Sequence, residues 1–120
     1  MRMTSMPDAM QTVLNDTDAV KALAALAQGN RLAVFRLLVV AGPGGLSVGN
    51  IAESLGLANA TLSFHLKELA NAGLITARQE GRYIYYAAAI DKMNALIGFL
   101  TENCCGGVPG LCEPVSPRKC

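Results

Sequence analysis

The side chains best suited to chemistry in this 120-residue chain are three cysteines near its C-terminal end. Cys104 and Cys105 are adjacent, and Cys112 follows after a segment rich in glycine and proline. Gly106 and Gly107 allow the backbone to bend, so that three thiolates can converge on one ion. Thiolates are soft donors that select thiophilic ions. The pattern therefore predicts a thiol site that serves either ion binding or redox chemistry.

The donor set indicates which ions the thiol site would take. Three soft donors without a histidine favour a pyramidal three-thiolate complex, which is the geometry of As(III) and Sb(III). Zn(II) or Cd(II) would take a fourth ligand, and Glu102 or Cys120 could supply it, so this alternative stays open. Cys120 stands apart behind Pro117-Arg118-Lys119 and is expected to be incidental. The single histidine, His65, has no second imidazole to complete a metal site.

Two other uses of the cysteines remain as alternatives. A disulfide between Cys104 and Cys105, or between either of them and Cys112, would make a redox sensor. A thiol enzyme or a metal buffer is the third hypothesis, but the chain has no Cys-x-x-Cys motif and no glycine-rich phosphate loop. No organic cofactor is expected, and the chain is not predicted to be an enzyme.

The composition is that of a globular domain with a mildly basic middle. Hydrophobic residues make up 52% of the chain and charged residues 16%, which excludes a disordered protein. Six basic and three acidic residues lie between positions 19 and 90, a balance compatible with a nucleic-acid partner. No apolar run is long enough to span a bilayer, so we expect a cytoplasmic protein without a membrane partner. Thiols stay reduced in that compartment.

Apolar spacing, caps and breakers predict four helices, then a β-hairpin, then a fifth helix. N-caps are expected within Asp16-Thr17-Asp18 and at Asn30, Ser47 and Asn59. We predict a flexible lead-in over residues 1–15, a folded domain over residues 16–102 and a cysteine-containing tail over residues 103–120. The stripes expected to face the core are Val20, Leu23, Ala24 and Ala27 in the first helix; Leu32, Phe35, Leu38 and Val39 in the second; Ile51, Ala52 and Leu55 in the third; Leu62, Leu66, Leu69 and Ala70 in the fourth; and Met93, Leu96, Ile97 and Leu100 in the last.

The middle of the chain predicts a winged helix-turn-helix, a mainly α fold with a β-hairpin. The third and fourth helices are joined by Gly56-Leu57-Ala58, and strands over residues 74–77 and 82–87 follow, with a turn at Gly81. Phe64 falls opposite the leucine stripe of the fourth helix, where an aromatic ring meets either a partner subunit or an apolar base edge such as the thymine methyl. The residues predicted to contact DNA are Asn59, Ala60, Thr61, Ser63, Phe64, His65 and Lys67 on this helix, and Arg78 and Arg82 beside the hairpin turn.

The run ATLSFHLKELANAGLI over residues 60–75 resembles the recognition-helix signature of the ArsR/SmtB metalloregulatory repressors. Residues 80–86 resemble the wing of that family and residues 29–38 its second helix, so the resemblance covers about residues 18–102. It implies a homodimer joined through its first and last helices, which represses by binding palindromic double-stranded operator DNA. Metal binding in this family releases the operator.

The chain departs from the family pattern at the sites that usually bind the inducer. The founding arsenic and cadmium sensors carry cysteines on the first helix of the helix-turn-helix, whereas residues 47–55 contain none. The usual zinc site on the last helix is also missing, since Asp91 is present but histidine is not. The segment FLTENCC over residues 99–105 resembles a branch in which a cysteine pair and a third downstream cysteine bind trivalent arsenic. This resemblance implies that Cys104, Cys105 and Cys112 bind As(III) as the inducer, with Sb(III) as a second candidate.

Overall fold

The computed structural model describes residues 14–102, which form a helical domain with one small antiparallel sheet. The predicted fold class, mainly α with a winged helix-turn-helix, is confirmed. The predicted cysteine site lies outside the described residues, as do Cys120 and most of the lead-in. The elements in chain order are α1 (Asp16–Leu26), α2 (Gly29–Ala41), β1 (Leu46–Ser47), α3 (Val48–Leu55), α4 (Asn59–Asn71), β2 (Ile75–Glu80), β3 (Tyr83–Ala88) and α5 (Ile90–Leu100).

The first two helices begin at caps other than those predicted. The side chain of Asn15 accepts a hydrogen bond from the Asp18 amide at 2.8 Å and caps α1. Leu14 is buried in the core, so the folded domain begins before the boundary expected at residue 16. The Gln28 side chain accepts from the Arg31 amide at 2.9 Å and caps α2. Asn30 is already helical and therefore cannot be the N-cap, which must precede the first helical residue.

The helix-turn-helix is formed by α3 and α4. Ser47 caps α3 as predicted, because its hydroxyl accepts from the Asn50 amide at 3.2 Å. Gly56 ends α3 in the left-handed region with φ +66°, which glycine adopts without a Cβ penalty. The predicted cap at Asn59 is wrong, since Ala58 is the N-cap of α4 and makes no side-chain bond there. The Asn59 side chain is consequently not used as a cap.

The centre of the core is the leucine stripe of α4. Leu62, Leu66 and Leu69 are almost fully buried, as predicted. They are surrounded because α4 contacts α1, α2, α3 and β2. Val34 and Leu38 of α2 are equally buried. The orientation of α4 about its own axis is therefore set by packing from several sides.

The predicted core faces of α1 and α5 are only partly correct. The buried side of α1 consists of Ala19, Ala22 and Ala25, while Val20 is 63% exposed and Leu23 is also exposed. Small side chains allow α1 to lie close to its neighbours, which leaves its larger apolar side chains on the outer face. In α5, Leu96 is buried as expected, but Ile97 is 52% exposed and Leu100 is exposed. Both helices thus carry apolar surface that the rest of residues 14–102 does not cover.

The wing has three strands rather than the predicted two. Strands β2 and β3 pair from Ile75–Ala88 to Glu80–Tyr83, so each begins one residue later and ends later than predicted. Gly81 makes the turn with φ +63°. Strand β1 adds Leu46 and Ser47 to the other edge of β3. Two residues are too short to give an alternating pattern, and β1 was therefore not predicted from the sequence.

Within residues 14–102, no single helix is long and apolar enough to cross a membrane. Helices α1 and α2 taken together are long and apolar enough for a membrane span, but they are bent by 100° at their junction.

Replacing Gly45 is expected to destabilise the domain. Gly45 has φ +76°, and a Cβ there would overlap the Tyr86 carbonyl oxygen and lie 2.9 Å from its carbon. The left-handed backbone alone costs a residue with a Cβ about 1–2 kcal/mol, and displacing a strand adds to it. We expect Gly45→Ala to lower the free energy of unfolding by about 2 kcal/mol or more in urea denaturation. Gly44→Ala is the matched control, since Gly44 has open space around it and should lose little stability.

Candidate nucleic-acid interface

The outer side of α4 presents a contiguous row of exposed side chains. Phe64 is 56% exposed, which an apolar residue in a monomer's core would not be. Lys67 lies one turn further along the same side. The predicted contact residues of this helix that the structure places at the surface are Asn59, Ala60, Thr61, Ser63, Phe64 and Lys67. The helix therefore combines amide, hydroxyl, aromatic and cationic groups on one face, as a reader of base edges and phosphates requires.

His65, which was also predicted to contact DNA, does not lie on this exposed face. The residue is only 6% exposed, and its Nδ1 lies 3.4 Å from Nη1 of Arg31 on α2. The same guanidinium donates from Nε to the Ala25 carbonyl oxygen at 2.7 Å. Arg31 consequently links the end of α1, the start of α2 and the middle of α4. Position 65 is one residue beyond Phe64, and the helical rotation between them turns the imidazole toward the core.

The two arginines of the wing occupy different environments. Arg78 lies within β2 opposite Tyr85, and its Nε donates to Oε2 of Glu80 at 2.8 Å. Its Nη2 donates to the Gly44 carbonyl oxygen at 3.1 Å. Arg82 lies at the hairpin tip and makes no salt bridge with any residue between 14 and 102. Of the pair, Arg82 has the placement expected of a phosphate contact.

A cleft of about 540 Å³ separates the start of α3 from the wing tip. Asn50 and Tyr83 line it together with Arg82, and sequence reasoning had assigned no role to Asn50 or Tyr83. Tyr83 directly follows Arg82 in the sequence, and this adjacency to a predicted contact residue was the available signal. The cleft opens beside the predicted contacts with one cation, one amide and one phenol, all of which can donate to phosphate oxygens. Glu53 also lines the cleft.

The end of α4 is joined to the start of α5 by two contacts. The Ala89 amide donates to the Leu74 carbonyl oxygen at 2.8 Å. The Lys92 side chain lies over Gly73, where an added Cβ would be 3.3 Å from Nζ. Gly73 has φ +78° and lies in the turn between α4 and β2. The start of α5 is therefore connected to the turn after α4, and the Leu74 amide bonds this turn back to the Leu69 carbonyl oxygen of α4.

The described residues contain no alternative metal centre of the usual kind. Between residues 14 and 102, no three side chains of His, Cys, Asp or Glu are grouped so that they could hold a metal ion.

Comparison with known proteins identifies the family. A family model described as a helix-turn-helix domain matches residues 26–78. The chain is 34% identical over 92 residues to the uncharacterized HTH-type transcriptional regulator YceK of Bacillus subtilis, covering 74% of this chain and 91% of YceK. It is also 30% identical over 83 residues to the cadmium resistance regulatory protein CadC homolog of Staphylococcus aureus, covering 69% of this chain and 67% of that protein. The chain belongs to the ArsR/SmtB family of transcriptional regulators.

Solved structures of the ArsR/SmtB family share the fold. HlyU from Vibrio cholerae, named a transcriptional activator, superposes with TM-score 0.59 at 31% identity over 72% of this chain and 94% of its own. A possible transcriptional regulator for arsenical resistance gives TM-score 0.59 at 29% identity over 67% and 80%. Mb0332 of Mycobacterium bovis, described as a homodimeric winged helix-turn-helix DNA-binding domain, gives TM-score 0.59 at 30% identity over 84% and 92%. Helix α4 is thus the second helix of an ArsR/SmtB helix-turn-helix.

Alanine substitutions of Phe64 and Leu62 should have different effects, the first on DNA affinity and the second on stability. Phe64→Ala removes an exposed ring, so we expect a normal urea midpoint but DNA binding weaker by about 1 kcal/mol or more, roughly a factor of five to ten. Leu62→Ala removes a fully buried side chain and should cost about 2–5 kcal/mol of stability instead. Fluorescence anisotropy with labelled duplex DNA measures the first effect. Equal loss of stability in both variants would contradict the assignment of Phe64 to the binding face.

Proposed function

We propose that this protein is a homodimeric repressor that binds double-stranded operator DNA and leaves it when As(III) binds Cys104, Cys105 and Cys112. Sb(III) is the second candidate inducer. The observation that carries the DNA-binding part is the exposed polar and aromatic face of α4, together with the wing-tip cation Arg82, which makes no salt bridge within residues 14–102. The inducer part rests on the chemistry of the three thiols. HlyU is named a transcriptional activator, so similarity to such regulators does not determine whether this protein represses or activates transcription, and repression is part of the proposal.

The DNA contact follows from the shape of the domain. The N-terminal part of α4, from Asn59 to Ser63, enters the major groove, where amide and hydroxyl groups reach base edges. Phe64 meets an apolar base edge, and Lys67 neutralises a phosphate. Arg82 reaches the backbone from the wing. A protein of this shape reads two half-sites about one helical turn apart, which requires two copies.

The second copy is proposed to cover the apolar faces of α1 and α5. Val20, Leu23, Ile97 and Leu100 are exposed within one chain, and α1 contacts α5, so the exposed residues belong to neighbouring helices. Isolated apolar residues on a surface are ordinary, but an apolar face shared by two packed helices is typical of an interface. The homodimeric Mb0332 domain supports the same arrangement.

The inducer is proposed from the donor set. Three thiolates suit the pyramidal coordination of As(III) without a histidine or carboxylate ligand. The structural similarity to a possible arsenical-resistance regulator supports this choice. The similarity to the cadmium resistance regulatory protein CadC homolog keeps Cd(II), and with it Zn(II), as the alternative, in which Glu102 or Cys120 is a fourth ligand. A redox response of the same thiols would use the same output, release from DNA.

The proposed coupling runs through α5. This helix ends at Leu100, and the Thr101 hydroxyl donates back to the Ile97 carbonyl oxygen at 2.8 Å immediately before the cysteine segment. At its other end α5 is tied to α4 through the bond between Ala89 and Leu74. Ion binding next to the end of α5 would therefore shift the helix that joins the subunits and positions both α4 helices. The ion achieves release only if it binds the DNA-free arrangement more tightly than the DNA-bound one.

Single cysteine variants test the inducer site. Replacing Cys104, Cys105 or Cys112 with Ser removes one of three thiolate donors, so we expect operator binding to persist and As(III)-induced release to be lost. Cys120→Ser is the matched control and should release DNA normally. The operator is first isolated from a random duplex library, and release is then followed by anisotropy on adding arsenite to the reduced protein. Normal release by all three site variants would rule out the proposed site.

The same assay distinguishes the alternatives. Release by Cd(II) or Zn(II) that also depends on Cys120 would favour a four-coordinate site, and release by peroxide with a new disulfide in the mass spectrum would favour redox sensing. A thiol enzyme or a metal buffer would lack the salt-dependent DNA binding that phosphate contacts produce.

Introducing a charge into the apolar face of α5 tests the proposed dimer. Ile97→Lys places a cation in the proposed interface, and burying it unpaired is unfavourable, so we expect a monomer by sedimentation and a loss of operator affinity. Val40→Lys is the matched control, because Val40 of α2 is 84% exposed and lies outside α1 and α5. It should remain dimeric. An Ile97→Lys variant that stays dimeric would show that another surface joins the subunits.

A further inference from the structure

The guanidinium of Arg78 joins three parts of the wing. Arg78 is paired with Tyr85 across β2 and β3, and its guanidinium carbon lies 5.3 Å from the centroid of that ring. From the same group, Nε donates to Glu80 at 2.8 Å and Nη2 donates to the Gly44 carbonyl oxygen at 3.1 Å. Gly44 precedes β1, so one side chain connects β2, β3 and the turn that follows α2. Only a planar group with several donors can make these contacts together.

These contacts make Arg78 poorly suited to bind phosphate. The Glu80 carboxylate neutralises the guanidinium and would repel a phosphate brought beside it. The ion pair by itself is worth little, because both side chains are about half exposed to water. Together with the stacked ring and the carbonyl acceptor, however, it holds the guanidinium in one orientation. A phosphate could reach only the guanidinium N–H groups that these bonds leave over, and it would do so beside the Glu80 carboxylate.

Arg78 lies at the base of the projecting part of the hairpin, where it can affect the position of the wing tip. The turn it binds is fixed at Gly45, whose backbone lies against the Tyr86 carbonyl of β3. The hairpin continues past this point to Gly81 and Arg82 without further pairing to β1, which ends at Ser47 opposite Tyr85. The bond from Arg78 to Gly44 therefore lies where the supported part of the sheet gives way to the projecting tip. A change in the angle of the hairpin at this point would displace its tip, and with it Arg82, more than the residues nearer the base.

We propose that Arg78 is a positioning residue, which holds the wing at the angle where Arg82 contacts the DNA backbone, and that Arg78 itself makes no phosphate contact. The proposal rests on the proposed DNA-binding function and assigns the two arginines different roles in it. It predicts that the effects of removing them on DNA binding are not additive, because both changes abolish the same contact.

A double-mutant cycle read by salt dependence tests this proposal. The slope of log affinity against log salt is negative, and each lost phosphate contact reduces its magnitude by about 0.9. With a labelled mixed-sequence duplex, Arg82→Ala, Arg78→Ala and the double variant should all reduce the magnitude of the slope by that amount for each protomer. Arg78→Lys keeps the charge but not the stacking and two bonds, so it should resemble Arg78→Ala. Additive losses in the double variant, or a normal slope for Arg78→Lys, would overturn the proposal.

Controls distinguish a failure of the role proposed for Arg78 from a failure of the proposed DNA-binding function. If the wild-type protein shows no salt-dependent binding to the duplex, the proposed DNA-binding function itself fails. If wild-type binding depends on salt and the losses add, only the role of Arg78 fails. Lys67→Ala combined with Arg82→Ala should give additive losses, since Lys67 is on α4 and contacts a different phosphate. Urea midpoints check folding, and if Arg78→Ala does not fold, the Arg78→Lys variant completes the same cycle.

Discussion

The structure depends on the burial of one leucine stripe. Leu62, Leu66 and Leu69 are enclosed by α1, α2, α3 and β2, and withdrawing each such side chain from water contributes about 1.5–3 kcal/mol. A rotation of α4 by one residue would exchange these leucines for Ser63, Lys67 and Ala70 or for Thr61, His65 and Glu68, and either change would bury a charged side chain. The helix therefore has one stable orientation. The exposed face that carries Phe64 and Lys67 is the geometric complement of that burial. The surface proposed to face DNA is therefore a consequence of how the core packs.

The wing is held by constraints of a different kind. Gly45 brings the turn after α2 against β3 more closely than any residue with a Cβ could, and Arg78 links that turn to β2 across the ring of Tyr85. The hairpin therefore projects from a fixed base. Charge alone predicted that Arg78 and Arg82 were equivalent, because a sequence shows which residues are cationic but not which cations already have partners.

Helices α1 and α5 show why apolar patterns in one chain are ambiguous. The pattern of α1 indicated that Val20 and Leu23 face the core, yet alanines occupy that side because small residues permit close packing. An apolar pattern reports burial in the whole assembly, and the sequence does not distinguish the chain's own core from the surface proposed for a second copy. The bond between Ala89 and Leu74 connects the start of α5 to the turn that follows α4, and the proposed coupling to DNA binding uses this connection.

The sequence by itself determined the helices, their order, the Ser47 cap, the glycine turns at Gly56 and Gly81 and the family signature, because these depend on interactions between residues a few positions apart. It also supplied the three thiols from which an inducer is proposed. Only the tertiary structure decided that His65 is buried against Arg31 and that Arg78 is bound to Gly44. Each of these contacts joins residues 34 positions apart in the chain. Such pairs are created when helices and strands pack, and no local pattern of residue types records them.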